Sequence, residues 1–166
     1  MDLKERIQND IKEALRAGRS TELMTLRLLW SAILNKEKEK RAKNVSGHPE
    51  LSSADLERQS ALQDEEVIEA ISSEAKKRRE AMAEFEKGHR QELADKEKEE
   101  LEILQKYLPE QLPEEEIRRL VKEAIEKVGA SGQKDIGKVM AELMPRVKGR
   151  ADGTLVNKTV KELLAV

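Results

Sequence analysis

Five cations near the carboxyl end of the chain have the residue types and spacing suited to contacts with phosphate oxygens. Three of them fall in the segment M-P-R-V-K-G-R-A-D-G, residues 144–153, which also holds a proline and two glycines. From residue 130 onward seven bases accompany four acids, whereas the whole chain carries 32 bases and 34 acids. Such a cluster predicts salt-sensitive contacts with a nucleic-acid backbone. A basic loop without any binding role fits the same pattern.

The predicted nucleic-acid site includes two glycines, whose missing side chains would let a phosphate approach the backbone. Its residues are Lys134, Lys138, Arg146, Lys148, Gly149, Arg150 and Gly153.

Residues suited to catalysis are few. His48 and His89 are the only histidines, and each adjoins a glycine, which favours solvated surface positions over a general base. The absence of cysteine excludes disulfides, thiolate metal sites and cysteine nucleophiles. Most carboxylates lie three or four residues from a lysine or arginine, which is typical of exposed ion pairs on helices. The sequence therefore predicts no catalytic residue, no metal and no cofactor.

Two arginines, Arg27 and Arg78, interrupt apolar stripes and are candidates for buried polar residues. One hypothesis places them in a polar site where the second and third helices meet. The other is structural, with each aliphatic stem packed on the core and each guanidinium reaching water or a carboxylate.

The composition and apolar periodicity predict an all-α protein. Apolar residues make up 37% and charged residues 40%, so the core must form from narrow stripes on polar-coated helices. No stretch alternates with period two, and no apolar run is long enough to span a membrane. Three aromatic residues offer little for stacking single-stranded bases. We expect a soluble cytoplasmic protein without a membrane partner.

The chain is predicted to form two domains. Pro109 and Pro113 disfavour helix before each of them, so an amino-terminal helical domain is expected over residues 1–108 and a three-helix carboxyl-terminal domain over residues 109–166. The first helix should be capped by Asp2 and end at Gly18. The text between about residues 43 and 60 loses its period and predicts a loop. Further helices are expected from about residue 64, from 90 to 108, from the Ile117 stripe to Gly129, from 133 to 144, and from 153 to 164, with Pro145 ending the penultimate helix.

Several strings resemble the YqeY family. They are L-R-L-L-W-S-A-I at residues 26–33, E-A-K-K-R-R-E at 74–80, Y-L-P-E-Q-L at 107–112, D-I-G-K-V-M at 135–140 and L-M-P-R-V-K-G-R-A-D-G at 143–153. The resemblance runs over nearly the whole chain. The serine-rich stretch from about residue 46 to 60 looks longer than the family's usual loop, so the resemblance implies nothing for those residues.

The resemblance implies an all-helical protein whose carboxyl-terminal domain is related to the tail domain of GatB, a subunit of the bacterial glutamyl/aspartyl-tRNA amidotransferase. In that enzyme the tail meets the tRNA, so tRNA and amidotransferase subunits are the expected partners. Family members are labelled as carbon-nitrogen ligases with glutamine as amido-nitrogen donor. The serine- and lysine-containing amidase segment and the phosphate-activating fold of that reaction are absent from this sequence. A tRNA-binding accessory, an amidotransferase activity and a helical protein adaptor are therefore three hypotheses.

Overall fold

The computed structural model describes residues 1–164, in which all regular secondary structure is helical and no strand occurs. This confirms the all-α prediction. None of the described helices combines the length and the apolarity that crossing a bilayer requires. The helices are α1 Leu3–Arg16, α2 Ser20–Gly47, α3 Ser53–Ser60, α4 Asp64–Lys87, α5 Gln91–Gln105, α6 Glu114–Val128, α7 Ile136–Val147 and α8 Gly153–Leu164, with a 3₁₀ turn at Gln133–Asp135 before α7.

The chain divides into two compact units, Met1–Tyr107 and a second unit that begins at Leu108. The first unit contains α1 to α5. Its core includes Leu26, Leu29 and Ile33 of α2, all 1% exposed or less, together with apolar side chains of α1, α4 and α5. Because its apolar side chains recur with the helical period and are buried, the long helix α2 lies in the middle of this unit.

Local signals set the ends of α1. The Asp2 side chain accepts a hydrogen bond from the Glu5 backbone N–H at 2.7 Å, and the Glu5 side chain accepts one from the Asp2 N–H at 3.3 Å. This reciprocal capping box is the one predicted. Gly18 follows the helix with a φ of +67°, a conformation that glycine adopts without steric cost.

The predicted loop over about residues 43–60 is wrong. α2 continues to Gly47, and α3 occupies Ser53–Ser60, so only a short connection separates the two helices. The Ser52 hydroxyl accepts a hydrogen bond from the Asp55 N–H at 3.2 Å and so caps α3. Leu56 of α3 is 9% exposed. Burial of this apolar side chain offsets the weak helix propensity of the surrounding serines.

The last residue of the first unit anchors α5 against α1. The Tyr107 hydroxyl donates a hydrogen bond to Asp10 Oδ2 at 2.5 Å, and the Arg6 guanidinium lies 4.9 Å from the centre of the tyrosine ring. Burial and the Asp10 carboxylate raise the pKa of Tyr107 above its ordinary value, because both disfavour the phenolate.

The second unit is built from α6, α7 and α8 around one apolar cluster. Val121, Val139, Leu143 and Val156 are each fully buried, and they come from all three helices. α6 ends at Val128 and is capped by Gly129, where the sequence predicted the end of the helix; Gly129 has a left-handed φ of +63°.

Pro145 does not end α7, which continues to Val147. The prediction failed because the proline stands in the last turn and on the exposed side of the helix. A proline there removes only the hydrogen bond to the carbonyl of Ala141, four residues earlier. Ala141 is exposed, so water can satisfy that carbonyl.

Candidate nucleic-acid interface

The turn between α7 and α8 is held against the segment that precedes α6. The Leu112 N–H donates to the Arg150 carbonyl at 2.7 Å, and the Gln111 side-chain amide donates to the Gly149 carbonyl, also at 2.7 Å. These two hydrogen bonds, between residues 38 positions apart, add to the turn's own hydrogen bonds from the Arg150 and Ala151 N–H groups to the Val147 carbonyl. The backbone that carries Lys148 and Arg150 is therefore an ordered platform.

Gly149 is buried in this turn and has a φ of +72°. A side chain would be strained in this left-handed conformation, so the glycine is required by the turn itself. Because Gly149 is buried, the approach of a phosphate is left to the neighbouring exposed residues. Gly153 is exposed and opens α8, and a Cβ added there would meet no atom within 4 Å.

Arg150 is the predicted cation with the most unused hydrogen-bonding capacity. Its side chain is exposed, and its Nε donates to the Glu110 carbonyl at 3.4 Å. No carboxylate among the described residues pairs with it, and a guanidinium carries five N–H donors. Lys134, in the 3₁₀ turn before α7, is likewise exposed and has no ion-pair partner within residues 1–164.

Two of the predicted cations are engaged by acids of the same unit. Arg146 Nη2 lies 2.7 Å from Glu123 Oε2, and Lys138 Nζ lies 3.1 Å from Asp135 Oδ1. The hydrogen bond from Arg146 lowers the pKa of Glu123. The pKa of Asp135 is lowered first by the Ser131 backbone N–H and then by Lys138. Both cations are exposed, so these pairs are weak and can exchange with another anion.

The two arginines proposed as buried polar residues differ in position. Arg27 is exposed, which corrects the prediction of burial: it lies on the side of α2 opposite the buried Leu26, Leu29 and Ile33. Arg78 is largely buried between α4 and α5. Its Nε lies 2.8 Å from Glu100 Oε2 and 3.5 Å from Glu97 Oε2.

The residues that position the basic turn were not identified as functional from the sequence. Gln111 and Leu112 lie in the proline-flanked segment that indicated only a domain boundary. Glu123 precedes Arg146 by 23 residues, so no helical spacing signals that pair. His48 and His89 are both exposed, as their neighbouring glycines indicated.

Two comparisons with known proteins place the chain among its relatives. The family model described as Yqey-like protein matches residues 4–164. A protein of Pyrenophora tritici-repentis (strain Pt-1C-BFP), named "Altered inheritance of mitochondria protein 41, mitochondrial", is 30% identical over 162 residues. That match covers 96% of this chain and 79% of the fungal protein. The chain belongs to the YqeY family.

Proposed function

We propose that this YqeY-family protein is a tRNA-binding accessory of an amidotransferase reaction and acts by binding and not by chemistry. The observation that supports the proposal best is the fixed α7–α8 turn, which carries exposed Lys148 and Arg150 on a backbone held by Gln111 and Leu112. Because the turn is ordered before any ligand arrives, little conformational entropy is lost when it contacts phosphates.

The cations of the second unit differ in their expected contribution to phosphate binding, because some of them already form ion pairs. Arg150 and Lys134 have no carboxylate to release, so they should contribute most. Arg146 and Lys138 must first leave Glu123 and Asp135. Each of these two cations should therefore contribute less to tRNA binding than Arg150 or Lys134.

Titration of labelled tRNA with the protein at several salt concentrations tests the proposal. Neutralising Lys134, Lys148 and Arg150 to glutamine should weaken binding and lower the slope of log affinity against log salt by roughly 2–3, at about 0.7–0.9 per lost phosphate contact. Lys122→Gln is the matched control, because Lys122 is exposed on α6 and unpaired among the described residues. An unchanged affinity and slope in the triple variant would refute the site.

A second variant tests the competition between Glu123 and the tRNA for Arg146. Glu123→Gln should free Arg146 and strengthen binding several-fold. Glu126→Gln removes the same charge from an exposed, unpaired position of α6 and should have a smaller effect. Equal gains in the two variants would show that only net charge matters and that Arg146 makes no contact.

The proposed role without chemistry is tested separately. Purified protein incubated with glutamine, ATP and mischarged tRNA should release no ammonia and form no amidated tRNA. Product formation that depends on the protein would instead support the carbon-nitrogen ligase activity labelled in the family. Amidotransferase subunits are the proposed protein partners, and co-purification with them should survive ribonuclease treatment.

We place this role in the cytoplasm, although the fungal relative carries the word mitochondrial in its name. Fractionation of the source cells should recover the protein with cytoplasmic tRNA. Recovery in mitochondria would contradict the location while leaving the tRNA-binding test intact.

A further inference from the structure

A groove between α1 and α2 in the first unit has an apolar floor and cationic rims. Ile11 and Trp30 form the floor, and the rims are Gln8 and Lys12 on α1 with Arg27 and Ser31 on α2. We call these six residues the α1–α2 groove. The two helices run antiparallel here, because the short Ala17–Arg19 turn joins them and Lys4 near the start of α1 pairs with Glu37 far along α2.

Apolar side chains extend the groove beyond its floor. Leu15 follows Ile11 by four residues and is 57% exposed, and Leu34 follows Trp30 by four residues and is 37% exposed. Neighbours four apart share a helix face, so these residues continue the groove as an exposed apolar surface. Contiguous apolar surface of this kind marks an interaction site.

The charges of the groove select the chemistry of the partner. Lys12 and Arg27 have no ion-pair partner among the described residues, and no carboxylate lines the groove. A partner with carboxylates beside an apolar stripe could pack on Ile11 and Trp30 and form ion pairs with Lys12 and Arg27.

We propose that the α1–α2 groove binds an acidic amphipathic helix of a partner protein. The stretch of α2 from Leu23 to Leu34 is about 16 Å long, which matches a helix of roughly three turns with apolar anchors at positions i, i+4 and i+7. A nucleic acid is disfavoured because the groove offers one aromatic ring and several aliphatic side chains, which do not stack bases. The proposal does not depend on tRNA binding by the second unit.

The indole of Trp30 reports occupancy of the groove directly, because it is the only tryptophan in the chain. The probe is a synthetic 15-residue helix without tryptophan, with leucines at the anchor positions and glutamates on both flanks. It should shift Trp30 emission to shorter wavelength and saturate. A peptide with lysines in place of the glutamates should bind roughly tenfold more weakly, as expected for two rim ion pairs.

Charge reversal in the protein completes the test. Lys12→Glu combined with Arg27→Glu should invert the preference between the two peptides, whereas Lys122→Glu on α6 should leave it unchanged. Both groove positions are exposed, so the variant should keep its helical circular dichroism, which serves as the check on folding.

Four results would overturn the proposal. The first is equal binding of the two peptides, and the second is no response to either. The third is an equivalent emission shift with phosphatidylglycerol vesicles or a single-stranded oligonucleotide, which would assign the groove to another class of ligand. The fourth is a shift on raising the protein concentration alone, with a dimer in sedimentation, which would assign the groove to a second copy of the chain.

Discussion

Replacing Arg78 should destabilise the first unit strongly, because its guanidinium lies between two largely buried carboxylates and offsets part of their charge. The side chains of Arg78, Glu97 and Glu100 are 18%, 19% and 11% exposed, respectively. The Arg78 N–H is not directed at Glu100 Oε2 despite the 2.8 Å separation, so the contact is electrostatic and not a well-formed hydrogen bond. The pair therefore depends on charge more than on guanidinium geometry.

The magnitude follows from the burial of the cluster. Removing one partner of a buried ion pair costs about 3–5 kcal/mol, and the residual exposure of all three side chains places Arg78→Met at the lower end, about 3 kcal/mol. At the 2–4 °C per kcal/mol typical of a chain this long, Tm should fall by roughly 10 °C. Arg78→Lys keeps the charge and should lose less than half as much.

Urea unfolding followed by circular dichroism measures this loss, with a double variant as the internal control. In Arg78→Met combined with Glu100→Gln the uncompensated charge is reduced, so the double variant should recover part of the lost stability. A loss below about 1 kcal/mol in Arg78→Met would refute the assignment of a structural ion cluster.

Three further outcomes are expected from local contacts. Tyr107→Phe should lose about 1 kcal/mol at pH 7 by removing the hydrogen bond to Asp10. The raised pKa of Tyr107 stabilises the fold fully below its unfolded pKa of about 10 and less as pH rises above it, so urea midpoints should fall above pH 10 more in the wild type than in the phenylalanine variant. Gly149→Ala should cost about 1–2 kcal/mol, measured by thermal unfolding, and an unchanged Tm would contradict the left-handed turn. Asp152→Ala should cost about 1 kcal/mol by removing the cap on the Thr154 N–H, which amide hydrogen exchange at the start of α8 would detect.

Where an interaction joins near neighbours, the sequence predicted it. The Asp2 capping box and the helix end at Gly129 each depend on residues within about four positions, and the structure confirms both. Residue propensities gave a wrong prediction where the packing of a buried side chain determined the structure. The serines after Gly47 indicated a loop, yet Leu56 buries itself and α3 forms around it.

The parts of the candidate site that sequence could not predict depend on contacts between distant residues. The cluster around Arg146 looked uniformly basic because Glu123 is 23 residues away on another helix. Part of the α7–α8 turn is held by Gln111, which lies 38 residues before Gly149. Periodicity reports the face of a helix but not which face of a neighbouring helix it meets.

The causes of the pKa shifts fit the proposed binding role. Catalytic groups are usually shifted by desolvation and charge partners together within a cleft. Here the pKa of Glu123 is lowered by the exposed Arg146, and that of Asp135 by the Ser131 N–H and Lys138. Tyr107 is desolvated, but its hydroxyl donates a hydrogen bond to Asp10 in the contact that holds α5 against α1. Exposed cations on an ordered turn lose little conformational entropy when they contact an anion, as the proposed binding role requires.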